Sequence, residues 1–159
     1  MNSTASIFGE SGAQVMLGAR NLAREIGGEL IGTEHLLLEM AGVSDGATEF
    51  LLTATGVKYD DFYEKVVKYF GYARKRADLT AFSPRVKKII QRARFLADGE
   101  LVEHHHILEA FIGEPECPAR MVLYHLGVDP NRFEQEVLAA IGQEKLVREF
   151  VASLNSPDL

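Results

Sequence analysis

Apolar residues recur along this chain at i, i+3 and i+4, and nowhere do they hold the two-residue alternation of a half-buried strand. A first helix is predicted from Glu10 to Ile26, stopped by Gly27-Gly28, which can reach positive φ at low steric cost. Thr33, a residue suited to an N-cap, opens a second helix that buries Leu36, Leu37, Met40 and Ala41. Asp45 caps a third, which carries Phe50, Leu51 and Ala54 and ends at Gly56, and a fourth carries Phe62, Val66 and Phe70 before Gly71. The order then repeats with different punctuation. Ser83-Pro84 opens a fifth helix with Val86, Ile89, Ile90, Ala93 and Ala97 along its apolar stripe; Pro118 lies in the first turn of a seventh; Asp129-Pro130 opens the eighth. Proline suits such positions because the N–H it lacks would have had no partner. After Gly142, Leu146, Val147, Phe150, Val151 and Leu154 predict a separate ninth helix from Gln143 to Leu154, and Asn155-Ser156-Pro157-Asp158 reads as a tail.

The two halves match one another. Gly28 to Gly71 lies on Gly99 to Gly142 without a gap, so that Gly28-Glu29-Leu30 returns as Gly99-Glu100-Leu101, His35 as His106, Gly56-Val57 as Gly127-Val128, and Phe62 and Val66 as Phe133 and Val137. Helix stops and buried positions are what an internal duplication keeps if both copies are to fold alike. The expected product is all-α: two four-helix units related by a pseudo-twofold axis, over about 8–71 and 83–142. A linker at 72–82 joins them, a C-terminal helix and tail follow at 143–159, and the whole forms one domain. Phe8-Gly9-Glu10 aligns with Phe82-Ser83-Pro84 only if the displacement grows by three residues, so the fifth helix or its exit should be shorter by about one turn.

Composition narrows the function. With 47% hydrophobic and 25% charged residues in 159, the chain is an ordinary globular one. It holds no apolar run near the roughly 20 residues a membrane span requires, and Met1-Asn2-Ser3-Thr4 lacks the basic then apolar order of a secretory signal. A cytoplasmic protein without membrane association is expected. The net charge of −6 argues against nucleic acid as a partner. Eight basic residues (Arg74, Lys75, Arg76, Arg85, Lys87, Lys88, Arg92 and Arg94) nevertheless fall between 74 and 94 against one acid, Asp78. Their ordinary role is the solvated face of the fifth helix; the alternative is a partner-docking face centred on Arg85, Lys88 and Arg92.

Reactive residue types are few. His104, His105 and His106 are consecutive, and helix neighbours point about 100° apart, so they cannot share one ion, and no metal or other cofactor is expected. Cys117, the single cysteine, should be a buried thiol; His125, eight residues on along the same helix, is too distant to serve it as a base. No catalytic residue is assigned and the chain is not expected to be an enzyme.

Ile31-Gly32-Thr33-Glu34-His35-Leu36-Leu37-Leu38, the later Gly-Val helix end and Phe82-Ser83-Pro84-Arg85-Val86-Lys87-Lys88 resemble the N-terminal repeat domain of Clp unfoldases, nearest the ClpC type, over about residues 8–142. The resemblance implies an all-α module, itself non-catalytic, that receives substrate and adaptor proteins for a Clp AAA+ ATPase motor feeding a protease. No Gly-x-x-x-x-Gly-Lys-Ser/Thr phosphate loop occurs here, so such a motor would act in cis beyond this chain or in trans. In ClpC-type domains the glutamate of each Gly-Thr-Glu-His motif helps bind phosphoarginine. A carboxylate matches the guanidinium fork, and backbone N–H groups at helix starts hold the phosphate. The resemblance therefore assigns a ligand site to Thr33 and Glu34, with Glu10 completing the pocket. In the second unit Glu103-His104-His105-His106 replaces the motif, so His105 stands where the glutamate would be, and the second site is divergent at His104 and His105.

Overall fold

The amphipathic segments become helices whose apolar stripes meet in one core. The computed structural model describes residues 6–42, 55–71 and 75–157, within which lie α1 (Glu10–Ile26), α2 (Thr33–Gly42), α3 (Tyr59–Phe70), α4 (Pro84–Ala97), α5 (His104–Ile112), α6 (Pro118–His125) and α7 (Pro130–Leu154). The third helix expected from Asp45 falls outside the described residues. The all-α architecture is as the spacing predicts: α1 buries Val15, Met16, Ala19 and Ala23, and α4 buries Val86, Ile89, Ala93 and Ala97. α1 has 17 residues and α4 has 14, which accounts for the three residues by which the second unit falls short.

Within each unit the first helix packs on the second, α1 on α2 and α4 on α5; across units α2 meets α4 and α6, and α1 meets α5. Two short backbone bridges fix that crossing. Phe8 pairs with Val102, through Gly9 N–H to Val102 O at 3.0 Å and Val102 N–H to Ile7 O at 2.8 Å. Ile31 pairs with Phe82, through Ser83 N–H to Ile31 O at 2.9 Å and Ile31 N–H to Ala81 O at 2.8 Å. Each atom in the first bridge has its repeat counterpart in the second, so the lead-in of each unit is tied to the helix-two start of the other. Gly56 and Gly127, matched in the repeat, both take the left-handed conformation, at φ 80° and 92°, and there a side chain would be strained.

One expected boundary is absent. Residues 143–154 are helical, but they continue α7, a single helix of 25 residues that runs through Gly142. Gly142 is not among the glycines at positive φ, and in a helix interior glycine costs only about 1 kcal/mol relative to alanine. Without a left-handed exit or a following proline it does not stop the helix, and the Arg148–Glu144 pair at 3.9 Å spans one turn of the continuation. The last residue α7 buries is Ile141.

Candidate functional site

Gly32, Thr33 and Glu34 at the start of α2, Ser83, Pro84 and Arg85 at the start of α4 and Pro118 at the start of α6 all line one cleft of about 420 Å³, with Gly28, Glu29, Leu30 and Phe70. Three helix N-termini therefore converge, each with backbone N–H groups that lack a partner within the helix and a positive dipole end. Part of that demand is met locally. Ser83 Oγ accepts Val86 N–H at 3.2 Å, Thr33 Oγ1 accepts Ala119 N–H at 3.2 Å, and His35 Nδ1 accepts Gly32 N–H at 2.9 Å. Thr33, 1% exposed, thus fastens the start of α6 to the start of α2. Cys117, expected to be buried, is buried at the N-cap position of α6, and burial pushes its thiol pKa up, away from reactivity.

Glu34 supplies a buried carboxylate to the cleft wall, where Glu29 is exposed. Glu34 is 8% exposed; burial raises its pKa, and its own backbone hydrogen bond opposes that rise only in part. The carboxylate folds back over Gly32, and a Cβ at position 32 would collide with it. Glu34 Oε1 is 3.5 Å from His35 Nδ1, yet the two are not an ion pair. That nitrogen already accepts the Gly32 N–H, and burial holds the His35 pKa at about 4, so the ring is neutral at physiological pH. The desolvated carboxylate is suited to a cationic hydrogen-bond donor brought by a ligand.

In the second unit the same backbone carries different chemistry. His106 Nδ1 accepts Glu103 N–H at 2.9 Å, as His35 does for Gly32, so the repeated histidine is a helix-start fastener. Glu103 stands in the place of Gly32, and its Oε1 accepts from Ser11 Oγ at 3.2 Å and from Gly12 N–H at 3.4 Å. Ser11 Oγ in turn accepts His104 N–H at 3.0 Å. His105, in the Glu34 position, packs its ring 4.0 Å from that of His106. Its pKa is lowered to about 4 by burial and then by His106, Arg148 and His104. Among the described residues no group of three or more His, Cys, Asp or Glu is placed to hold a metal ion.

The structure rearranges the residues singled out from sequence. Thr33 and Glu34 do come together. Glu10 is not among the residues that line this cleft: it begins α1, where its neighbours Gly9 and Ser11 bond to Val102, Glu103 and His104. What completes the Glu34 cleft is the start of α4, including Arg85. The residues of the basic face, Arg85, Lys88 and Arg92, stay exposed, with Arg85 3.5 Å and Lys88 3.9 Å from Glu114 and Arg92 against Gly113. The signal for this crossing was present in the Phe8-Gly9-Glu10 and Phe82-Ser83-Pro84 match, which marks both lead-ins as parts of the repeat; pairing partners across the axis are not written in spacing.

Among described residues no helix is long and apolar enough to cross a membrane. The model of the Clp repeat (R) N-terminal domain matches residues 7–100. The chaperone protein ClpB of Oceanobacillus iheyensis is 31% identical over 142 residues, and the negative regulator of genetic competence ClpC/MecB of Bacillus subtilis 32% over 142; each alignment covers 87% of this chain. The chain spans only 17% of the length of either relative. The N-terminal domain of ClpD from Arabidopsis thaliana superposes with a TM-score of 0.65 at 22% identity, covering 83% of this chain and 95% of that one. A ClpV N-domain solved with a VipB peptide superposes at 0.56 and 16%, covering 80% and 82%.

Proposed function

Because this chain belongs to the Clp repeat N-terminal domain family, we propose that it is the substrate- and adaptor-receiving module of a Clp-type ATP-dependent unfoldase system, with no ATPase activity of its own. The AAA+ motor acts in cis beyond the chain or in trans, the latter making this chain an accessory subunit or regulator. One observation carries the ligand assignment: three helix N-termini and the desolvated Glu34 carboxylate face a single cleft. An anion is stabilised at the helix starts and a cation at Glu34, a pairing that fits an arginine whose guanidinium bears a phosphate. Leu30 and Phe70 on the cleft wall give apolar surface for the rest of a peptide. The peptide bound to the ClpV N-domain supports a peptide-receiving role for this fold.

Calorimetric titration with a phosphoarginine peptide tests the assignment. Glu34→Ala should weaken binding by about 1.5–3 kcal/mol, the range for hydrogen bonds to charged groups, and His105→Ala should leave it unchanged. No saturable binding by the parent, or equal losses from both substitutions, would sink it. Steady nucleotide turnover by the pure chain would contradict the absence of ATPase activity, and salt-dependent duplex binding would favour a nucleic-acid module instead.

A further inference from the structure

Glu103 stands in the second unit where the first has Gly32, and its carboxylate reaches the start of α1. α1 begins at Gly9, which provides no side-chain cap. One of its free backbone donors, Gly12 N–H, is met from the other unit by Glu103 Oε1 at 3.4 Å, which also accepts from the Ser11 hydroxyl at 3.2 Å. The carboxylate lies so close over Gly9 that a Cβ there would overlap it. In the first unit the equivalent position is Gly32, which has no side chain, and the equivalent helix, α4, caps itself with Ser83. In the first unit no residue-32 side chain reaches the start of α4; Gly32 lines the cleft, with the Glu34 carboxylate folded over it. Ser11 adds a fixed link, since its hydroxyl bridges the Glu103 carboxylate to His104 N–H at 3.0 Å.

We infer that Glu103 is a built-in anionic occupant of the second unit's helix-start position, so that the chain offers a phosphate-bearing ligand one cleft where its duplicated architecture has places for two. The inference rests on the reading of the Glu34 cleft as an anion site. A carboxylate held at a helix N-terminus gains the same dipole and N–H interactions as a phosphate, and, being covalently attached, competes at high effective concentration. The neutral His105 ring beside it offers a guanidinium no counter-charge.

The test is amide-resolved NMR titration of the parent and E103G with inorganic phosphate and with free phosphoarginine, following Thr33 for the Glu34 cleft and Ser11 and Gly12 for the Glu103 position. In the parent, Thr33 should move and Ser11 and Gly12 should stay. In E103G the amides of Ser11 and Gly12 should respond saturably to phosphate, with an apparent Kd at least tenfold below any response in the parent. Gly12 responding in the parent overturns the proposal without any variant. A folded E103G that stays silent at Gly12 while Thr33 still responds overturns it too. Silence at Thr33 in the parent counts against the Glu34 cleft alone, and E103G then still decides the matter at Gly12. If glycine leaves the start of α5 too loose to fold, E103A removes the same carboxylate and keeps the backbone restraint.

Discussion

His35 is a buried ionisable residue whose state is set by its surroundings. Its Nδ1 is committed to Gly32 N–H, its ring is 1% exposed, and its pKa falls from 6.5 to about 4. Between those two values the unfolded chain binds a proton that the folded chain refuses, so stability falls as pH drops. Between pH 7 and 5 the loss from this residue should be about 1–2 kcal/mol, since one pKa unit corresponds to about 1.4 kcal/mol. Glu34, with its raised pKa, works in the opposite sense. Urea melts at both pH values check the sign. His35→Gln, which keeps an N3 acceptor for Gly32 N–H, should flatten the dependence, and the slope left over is the balance of His105 and His106, also held low, against Glu34 and Glu39, held high. Arg120 is the other buried charge: it donates to Tyr124 Oη at 2.8 Å, Ile112 O at 3.1 Å and Glu134 Oε1 at 2.8 Å. Arg120→Ala should cost about 3 kcal/mol in the same melts, because it strips partners from three groups and empties a filled site.

At the level of elements, helix starts were legible and one helix end was not. Ser83-Pro84, Pro118 and Asp129-Pro130 announce themselves because proline is tolerated only in the first turn, and each begins a helix where expected. Gly142 misled because a glycine in sequence does not show its φ. A Cβ there meets nothing within 4 Å, so Gly142→Ala should raise stability by about 0.5–1 kcal/mol. Gly127→Ala, at φ 92°, should lower it by a similar amount or more. Paired thermal melts give both signs, and a stabilised Gly127→Ala would contradict the backbone assignment. The last turns of α7 leave Leu146, Val147, Phe150 and Val151 about half exposed or more. The i, i+4 pattern that predicted this helix could not say whether its stripe would be covered.

On the scale of the whole molecule, the duplication disclosed the fold, and the candidate site only by halves. Thr33 and Glu34 line one cleft together because one motif holds both; Arg85, Pro84 and Pro118 join its lining from helices remote in sequence, which no motif spacing announces, and Glu10 lies outside that lining. Burial across units joins the parts into one core, so unfolding should be a single transition. Cys117 reports on it. The thiol is fully buried at the start of α6, and its labelling by a thiol reagent should track loss of far-UV circular dichroism across a denaturant series. Labelling well ahead of that loss would reveal a second unit that opens independently.

The crossed bridges bear on ancestry and on later divergence. Each lead-in completes the other unit's helix starts, so a single unit made alone would carry two unmatched halves of a cleft at opposite places. Two such units, brought together by a twofold axis, would close both at once, and the arrangement seen here is that of a symmetric dimer written into one chain. Joining the copies removed the requirement that both clefts change together. A substitution at position 103 alters one cleft and leaves its twin untouched, which no true homodimer can do. The exchange of Gly32 for Glu103 is a change of that kind.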